Sequence, residues 1–306
     1  MKVLVTGGNG FIGSHVVDLL VERGHRVVIV DSSSGTGNKG NEKVKRYQLD
    51  ISDQKVFDVF KKERPDAVIH MAAQVDVSRS VKDPLMDAKV NILGTLNVLN
   101  ACVSHNVMKV VYSSTSAVYG ENEASLLTEK EEVRPISCYG VSKYTPELYL
   151  GIFSKMHGLK YTVLRYSNVY GERQGDKGEG GVIPIFIRSL LEDRPPVIFG
   201  DGLQTRDFIY AGDVAEANIS ALKTADNKVV NVSSGTSITI LQLFHQIRTL
   251  LGKVVTPQFK GGRTGDIQHS QLDNTKAIQL LDWKPKVKIT EGLRRTIEYY
   301  RDSNLP

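Results

Sequence analysis

TGGNGFIG, residues 6–13, joins KVLVT (2–6), which reads as a short buried parallel strand, to SHVVDLL (14–20), whose apolar residues recur at helical spacing. Gly7, Gly8, Gly10 and Gly13 give GxGxxG counted from Gly8 and GxxGxxG counted from Gly7. In either register the glycines permit a tight turn with positive φ, admit a pyrophosphate close to the backbone, and let the helix pack against the sheet. The helix N-terminus then turns unpaired N–H groups and a positive dipole end toward the phosphates. RVVIVD (26–31) reads as a second strand, and Asp31 stands where an acidic side chain binds adenosine ribose hydroxyls. A glycine pattern alone is weak. Its place between strand and helix, with Asp31 after the next strand, favours a dinucleotide site over a merely tight turn.

Beyond this unit, strand and helix patterns alternate through the first half, which predicts an α/β fold with a Rossmann-type, doubly wound parallel sheet. VKRYQLD (44–50) is the expected third strand, with Asp50 and Ile51 where an adenine ring rests. A short helix is expected over 53–62, stopped by Pro65, and DAVIH (66–70) as the fourth strand. Small residues after it, including Met71, Ala72 and Ala73, read as backbone passing the dinucleotide again. A long helix is expected from about Pro84 to His105, with Asn91 facing the sheet end, followed by the strand KVVYSS (109–114).

In the second half RYSNVYG (165–171) ends a sixth strand, and GERQGDKGEGG (171–181) reads as a loop over a ligand. VIPIFIRSLL (182–191) and DVAEANISALKTA (213–225) read as helices, and PPVIFGDG (195–202) as a strand and turn. The expected division is a dinucleotide-binding domain over 1–166 and a smaller mixed α/β substrate-binding domain over 167–306. Segments around 205–235 are expected to return to the first domain. A substrate crevice should lie between the two, beyond the carboxyl ends of the strands.

Composition narrows the partners. The 306 residues are 41% hydrophobic and 24% charged, as in an ordinary globular protein. No run approaches the length of a membrane span, and Met1-Lys2 lead straight into the first strand, so neither membrane nor signal peptide is expected. Cys102 and Cys138, far apart, point to a reduced cytoplasmic setting. The formal charge is +5, but Lys43, Lys45 and Arg46, or Arg294 and Arg295, lack interleaved aromatics, so no nucleic acid is expected. The mild positive balance suits an anionic small molecule. None of the seven histidines pairs at ligand spacing, and CxxC and HExxH are absent, so no metal is expected.

YGVSK, Tyr139 to Lys143, opens an apolar-periodic helix. Residues four apart share a helix face, so the Lys143 ammonium can reach beneath the Tyr139 phenol. A cation there stabilises phenolate and brings the phenol toward the range of a working base. YxxxK is usually a bland surface pair. Here it follows a dinucleotide-binding half and a hydroxyl-rich strand end, Ser113-Ser114-Thr115-Ser116, and reads as a catalytic pair. Spacing alone leaves open which of the four hydroxyls serves the oxygen that gains or loses a proton.

TGGNGFIG, Asp31, SSTSAVYG (113–120), YGVSK, RYSNVYG, QTRDFIY (204–210) and RTGD (263–266) together resemble the extended short-chain dehydrogenase/reductase superfamily. Within it the chain resembles the nucleotide-sugar epimerases, those acting on UDP-glucose above all, from Met1 to about Tyr300. The resemblance implies Thr115, Tyr139 and Lys143 as catalytic residues. It implies NAD held by Gly7, Gly10, Phe11, Ile12, Gly13, Asp31, Asp50, Ile51, Met71, Ala72, Ala73, Asn91, Ser113, Tyr139 and Lys143. It implies a UDP-sugar held by Thr115, Asn168, Val182, Arg206, Arg263, Asp266 and Ser270. The reaction implied interconverts UDP-glucose and UDP-galactose. Hydride is removed to give a transient 4-keto sugar, and is returned to the opposite face after the sugar turns about its diphosphate bonds.

The resemblance also implies a homodimer through the helix after Pro84 and the helix carrying Tyr139. Both have apolar residues on more than one face (Leu93, Leu96, Val98 and Leu99; Leu148, Leu150, Ile152 and Phe153). Ser270 falls where some epimerases carry a large aromatic side chain, so UDP-N-acetylglucosamine is expected to turn over as well. Nucleotide-sugar 4,6-dehydratases and decarboxylases need an acid and base beside the catalytic threonine, where this chain has Ser116 and Ala117. A UDP-glucuronate 4-epimerase stays open, with Arg79, Arg173 and Arg188 as candidates for the carboxylate. A non-catalytic NAD-sensing regulator would keep the glycine turn without needing Thr115, Tyr139 and Lys143 together.

Overall fold

β1 (Lys2–Thr6) is buried along almost its whole length, because both faces of a parallel sheet are covered by helices and KVLVT offers no polar alternation. The computed structural model describes residues 1–33, 44–122, 124–175, 181–262 and 267–302. From β1 the glycine turn leads into α1 (Phe11–Glu22) and β2 (Arg26–Asp31), then β3 (Val44–Gln48), α2 (Val56–Glu63) and β4 (Ala67–His70). α3 (Val77–Lys82), α4 (Pro84–Ala88), a π-helical turn over Lys89–Gly94 and α5 (Thr95–Ser104) lead to β5 (Lys109–Thr115). α6 (Cys138–His157) and β6 (Lys160–Tyr166) follow.

β7 (Asn168–Tyr170), α7 (Val182–Leu191), β8 (Val197–Phe199) and β9 (Thr205–Tyr210) begin the second half, and α8 (Ala211–Ala221) leads from there to β10 (Lys228–Val232). β11 (Ser237–Thr239), α9 (Ile240–Leu251), β12 (Gln258–Lys260), β13 (His269–Ser270), α10 (Thr275–Leu281) and α11 (Ile289–Asp302) complete the described chain.

Seven parallel strands form the main sheet in the order β10-β6-β5-β4-β1-β2-β3, with Val3 registered against Val27 on one side and Ala67 on the other. Strand order therefore reverses between β1 and β4, which opens a crevice at the carboxyl ends of those strands. One face carries α1 and α8, whose Val16, Leu20, Val214 and Ala217 pack on Val5, Ile29 and Ile69. The other carries α2, α5 and α6 through Val59, Phe60, Val98, Leu99 and Leu150. β10 joins the far edge of this sheet after the chain has passed through the second half. β7, β9, β11 and β13 form a smaller mixed sheet, and β12 pairs with β8. A separate core of Tyr170, Phe186, Leu243, Phe244 and Ile297 supports these.

Three local readings change. The helix expected from residue 53 begins at Val56, because the Asp50 and Asp53 carboxylates accept from the amides of Ser52 and Lys55 and hold the preceding residues in turns. The segment after Ala73 carries α3, whose N-terminus is capped by the Asp76 side chain on the Arg79 amide at 3.0 Å. The long helix expected from Pro84 to His105 is α4, the π turn and α5, the widened turn lying where Asn91 bonds sideways to neighbouring segments.

Candidate active site

The crevice between β1 and β4 has a volume of about 1030 Å³, and its walls follow the carboxyl ends of β1, β2, β4, β5 and β6. Its floor is the glycine turn. A Cβ on Gly13 would lie 2.0 Å from the Gly7 carbonyl oxygen, so α1 starts this close to β1 only with glycine there. Gly7 has φ +70°, and a Cβ on it would meet the Ala72 amide at 2.7 Å. Gly10, Phe11 and Ile12 line the same end. Asp31 is 8% exposed; one of its carboxylate oxygens accepts from the Asn9 amide at 2.9 Å, the other from the Ser33 amide and hydroxyl at 2.9 and 2.8 Å. Asp50, Ile51, Met71, Ala72 and Ala73 stand along the adjoining wall.

Thr115, Tyr139 and Lys143 line one stretch of the crevice. Tyr139 is held by the first turn of α6: the Ser137 hydroxyl caps the Gly140 amide at 3.0 Å, and the Tyr139 amide donates to Ser80 Oγ at 3.0 Å. Lys143, one turn on, is 3% exposed, and its Nζ sits 4.5 Å from the centroid of the Tyr112 ring. Burial pushes the Lys143 ammonium down to about 7, while the carboxylates of Glu147 and Asp87 pull it upward.

The strand end separates its hydroxyls by what each already does. Ser113 Oγ donates to the His70 carbonyl at 3.0 Å, and Ser114 Oγ donates to Glu147 at 2.5 Å. Thr115 Oγ1 instead accepts from the Ala117 amide at 3.1 Å and keeps its proton to give. His70, unremarked in the sequence beyond ending DAVIH, underlies this wall. Its ring bridges Thr6 and Thr95 at 2.6 and 2.9 Å, and burial holds it neutral by pushing it down to about 3.

A second cavity of about 640 Å³ adjoins the first through shared wall residues Asn168, Val169, Gln174 and Gly181. Val182 and Arg206 line it. Asn168 is fixed by donation from its side-chain amide to the Asp207 carbonyl at 3.1 Å.

A model of the NAD dependent epimerase/dehydratase family matches residues 3–233. The chain belongs to this family. A UDP-glucose 4-epimerase from Thermotoga maritima, solved with UDP-glucose, matches with a TM-score of 0.96 at 45% identity over 100% of both chains. A UDP-N-acetylglucosamine 4-epimerase from Methanobrevibacter ruminantium M1, solved with UDP-N-acetylmuramic acid, matches at 0.94 and 40%, over 99% of this chain and 98% of its own. A Thermus thermophilus UDP-glucose 4-epimerase in complex with NAD matches at 0.91 and 39%, over 98% and 99%.

For a member of the epimerase/dehydratase family the donor set suits NAD. The glycine turn leaves the N-terminus of α1 uncapped by any side chain, and the Asp31 oxygen that accepts from Asn9 keeps a second lone pair for a ligand, the other oxygen being taken up by Ser33. Not every predicted residue reaches the walls. Asn91 is 1% exposed and off the crevice, its amide spent on Gln74, Asp87 and Ser142, so it shapes the site from behind. Ser270, paired with Arg206 across β13 and β9, is buried and on the wall of neither cavity. Arg263 and Asp266 lie outside the described residues. Gln174, which lines both cavities, escaped the sequence reading because it looked like one more polar residue in a glycine-rich loop.

Proposed function

We propose that the protein is an NAD-dependent UDP-sugar 4-epimerase, an isomerase interconverting UDP-glucose and UDP-galactose and so serving galactose metabolism. The observation that carries this reading is the set Thr115, Tyr139 and Lys143 on one crevice wall, beside a 116–117 segment that offers a backbone amide and no carboxyl group. Elimination chemistry needs an added acid and base there; epimerisation does not.

NAD, when bound, supplies reversible acceptance of the hydride at C4 of the sugar. Gly7, Gly10 and Gly13 receive its pyrophosphate, and Asp31 its adenosine ribose, favouring NAD over NADP because a carboxylate repels a 2′-phosphate. Tyr139 takes the proton from the C4 hydroxyl and later gives it back. The Lys143 ammonium supports the phenolate, and Thr115 donates its free hydroxyl proton toward the sugar oxygen. Asn168, Val182 and Arg206 hold the uridine diphosphate arm in the second cavity, so the 4-keto sugar end can turn while the nucleotide stays anchored. Desolvation around Lys143 strengthens each of these electrostatic contacts.

The test is turnover of a small UDP-sugar panel without added cofactor, with the nucleotide released on denaturation identified. Interconversion of UDP-glucose and UDP-galactose and recovery of NAD are expected, with some turnover of UDP-N-acetylglucosamine, which rests on the similarity to the Methanobrevibacter enzyme and not on Ser270, buried away from both cavities. Obligatory consumption of added NAD(P)H with a reduced product would assign a dehydrogenase instead. None of Arg79, Arg173 and Arg188, the candidates for a glucuronate carboxylate, lines either cavity, and Arg173 is committed to Asp18 at 2.7 Å and to His15 at 2.9 Å.

We also propose a cytoplasmic homodimer. Leu85, Leu93, Leu148 and Ile152 are 82%, 59%, 52% and 48% exposed on the helices around α6, an apolar face that pairing across a two-fold axis would cover. Val98, Leu99 and Leu150 are instead buried against the sheet. Light scattering should give twice the monomer mass at micromolar concentration; a monomer mass would remove the interface. Cys102 and Cys138 are unpaired, which fits a reducing compartment, and among the described residues no helix is long and apolar enough to cross a membrane.

A further inference from the structure

Behind the wall that carries Lys143, α6 packs against α4 and the π turn, and a chain of buried polar groups crosses the seam. Asp87, at 1% exposure, accepts from the side-chain amides of Gln74 at 2.8 Å and Asn91 at 3.2 Å. Asn91 also donates to Ser142 Oγ at 2.9 Å, and Ser142 donates in turn to the Tyr139 carbonyl at 3.1 Å. The carboxylate is thus tied to the same helical turn that holds Tyr139 and Lys143. Both side-chain donors to Asp87 are neutral amides, and no cation pairs with it among the described residues. A carboxylate taken from water without a partner is costly unless a positive charge lies within its field.

The other groups around Lys143 are accounted for. On β4, His70 is neutral. On β5, Tyr112 is held neutral by burial, which pushes its phenol well up. On α6 itself, Glu147 is matched by Arg165 of β6 in a bidentate pair at 2.6 to 3.2 Å, both side chains buried. Tyr139 is the reacting group. That leaves Asp87 as the negative charge not already neutralised, and Lys143 as the buried positive charge without an ion pair among the described residues. We propose that Asp87 is a positioning residue for the proton transfer: its buried, unpaired carboxylate is the counter-charge that keeps Lys143 an ammonium beside Tyr139. The proposal rests on the reading of Tyr139 as the base and Lys143 as its cation. The upward pull on Lys143 against burial comes first from Glu147, whose charge Arg165 already matches, and then from Asp87.

Asp87→Asn keeps an acceptor oxygen for both amides and removes only the charge. Its pH dependence of kcat/KM should lose activity on the alkaline side about one pH unit earlier than wild type, because Lys143 gives up its proton sooner. In protein without substrate, the phenolate absorbance of Tyr139, defined by difference from Tyr139→Phe, should appear about one unit later, because the cation that stabilised it is gone. Asp87→Glu should bring both midpoints back toward wild type. If Asp87→Asn does not fold, Asp87→Ser, which retains a hydroxyl acceptor, should show the same two shifts. Activity lowered equally at every pH, with both midpoints unmoved, would make Asp87 a packing group and overturn the proposal. Full activity in Tyr139→Phe would instead overturn the reading beneath it, whatever Asp87 does.

Discussion

Tyr139→Phe should fold as the parent does and turn over UDP-glucose roughly two to four orders of magnitude more slowly, the usual contribution of a positioned proton-transfer group. The fold should survive because Tyr139 is half-buried and its turn is anchored through the backbone. The Ser80 hydroxyl takes its backbone amide, and Ser137 caps the turn. Phenylalanine keeps the ring in the wall and deletes only the oxygen that exchanges a proton. NAD content after purification should stay near that of wild type, since Asp31 and the glycine turn are untouched. The check combines a melting curve, the nucleotide released on denaturation and steady-state turnover. Activity within tenfold of wild type would remove Tyr139 from the base position.

Lys143→Met should be more stable than the parent and nearly inactive. Burial holds the Lys143 ammonium at about 7, against 10.5 when exposed. Between those values the unfolded chain carries more protons than the folded one, so the parent's stability rises with pH across that interval. The penalty for the buried charge is full below about 7 and fades toward 10.5. At 1.36 kcal/mol per unit it amounts to at most about 5 kcal/mol, part of which the Tyr112 ring returns. Methionine of similar length escapes that penalty, which is already net of the attraction that Glu147 and Asp87 lose with the charge. Unfolding measured well below pH 7 should therefore show a gain of a few kcal/mol for the variant, shrinking as pH approaches 10.5. Turnover should fall at least a hundredfold, and the titration of the base should move to higher pH. A variant less stable than the parent at low pH would mean that Lys143 is not a desolvated charge.

The sequence carried the topology and the Tyr139–Lys143 pair because both depend on local pattern, whereas Thr115 came only from the family resemblance. Apolar runs of strand length, helical spacing after them and Gly7, Gly10 and Gly13 between them suffice to specify the first strand–turn–helix and, by repetition, a parallel sheet. Tyr139 and Lys143 were legible as a pair because four residues make one helical turn. What the sequence left open depends on neighbours distant along the chain. It offered four hydroxyls from Ser113 to Ser116. Only packing against His70, 43 residues away, and Glu147, 33 residues away, occupies Ser113 and Ser114, and only the course of the chain leaves Ser116 off the crevice wall, so that Thr115 is the wall hydroxyl with a proton to donate. It put Asn91 at the sheet end, whereas the π turn rotates its amide into a network with Gln74, Asp87 and Ser142. It grouped Val98, Leu99 and Leu150 with Leu93, Leu148 and Ile152 as one apolar set, and only the sheet beneath the helices decides which are covered. Periodicity records which residues share a face. Burial, the charge a side chain holds and the hydrogen bonds it has already spent are set by the whole fold, because each is a property of the surroundings rather than of the residue.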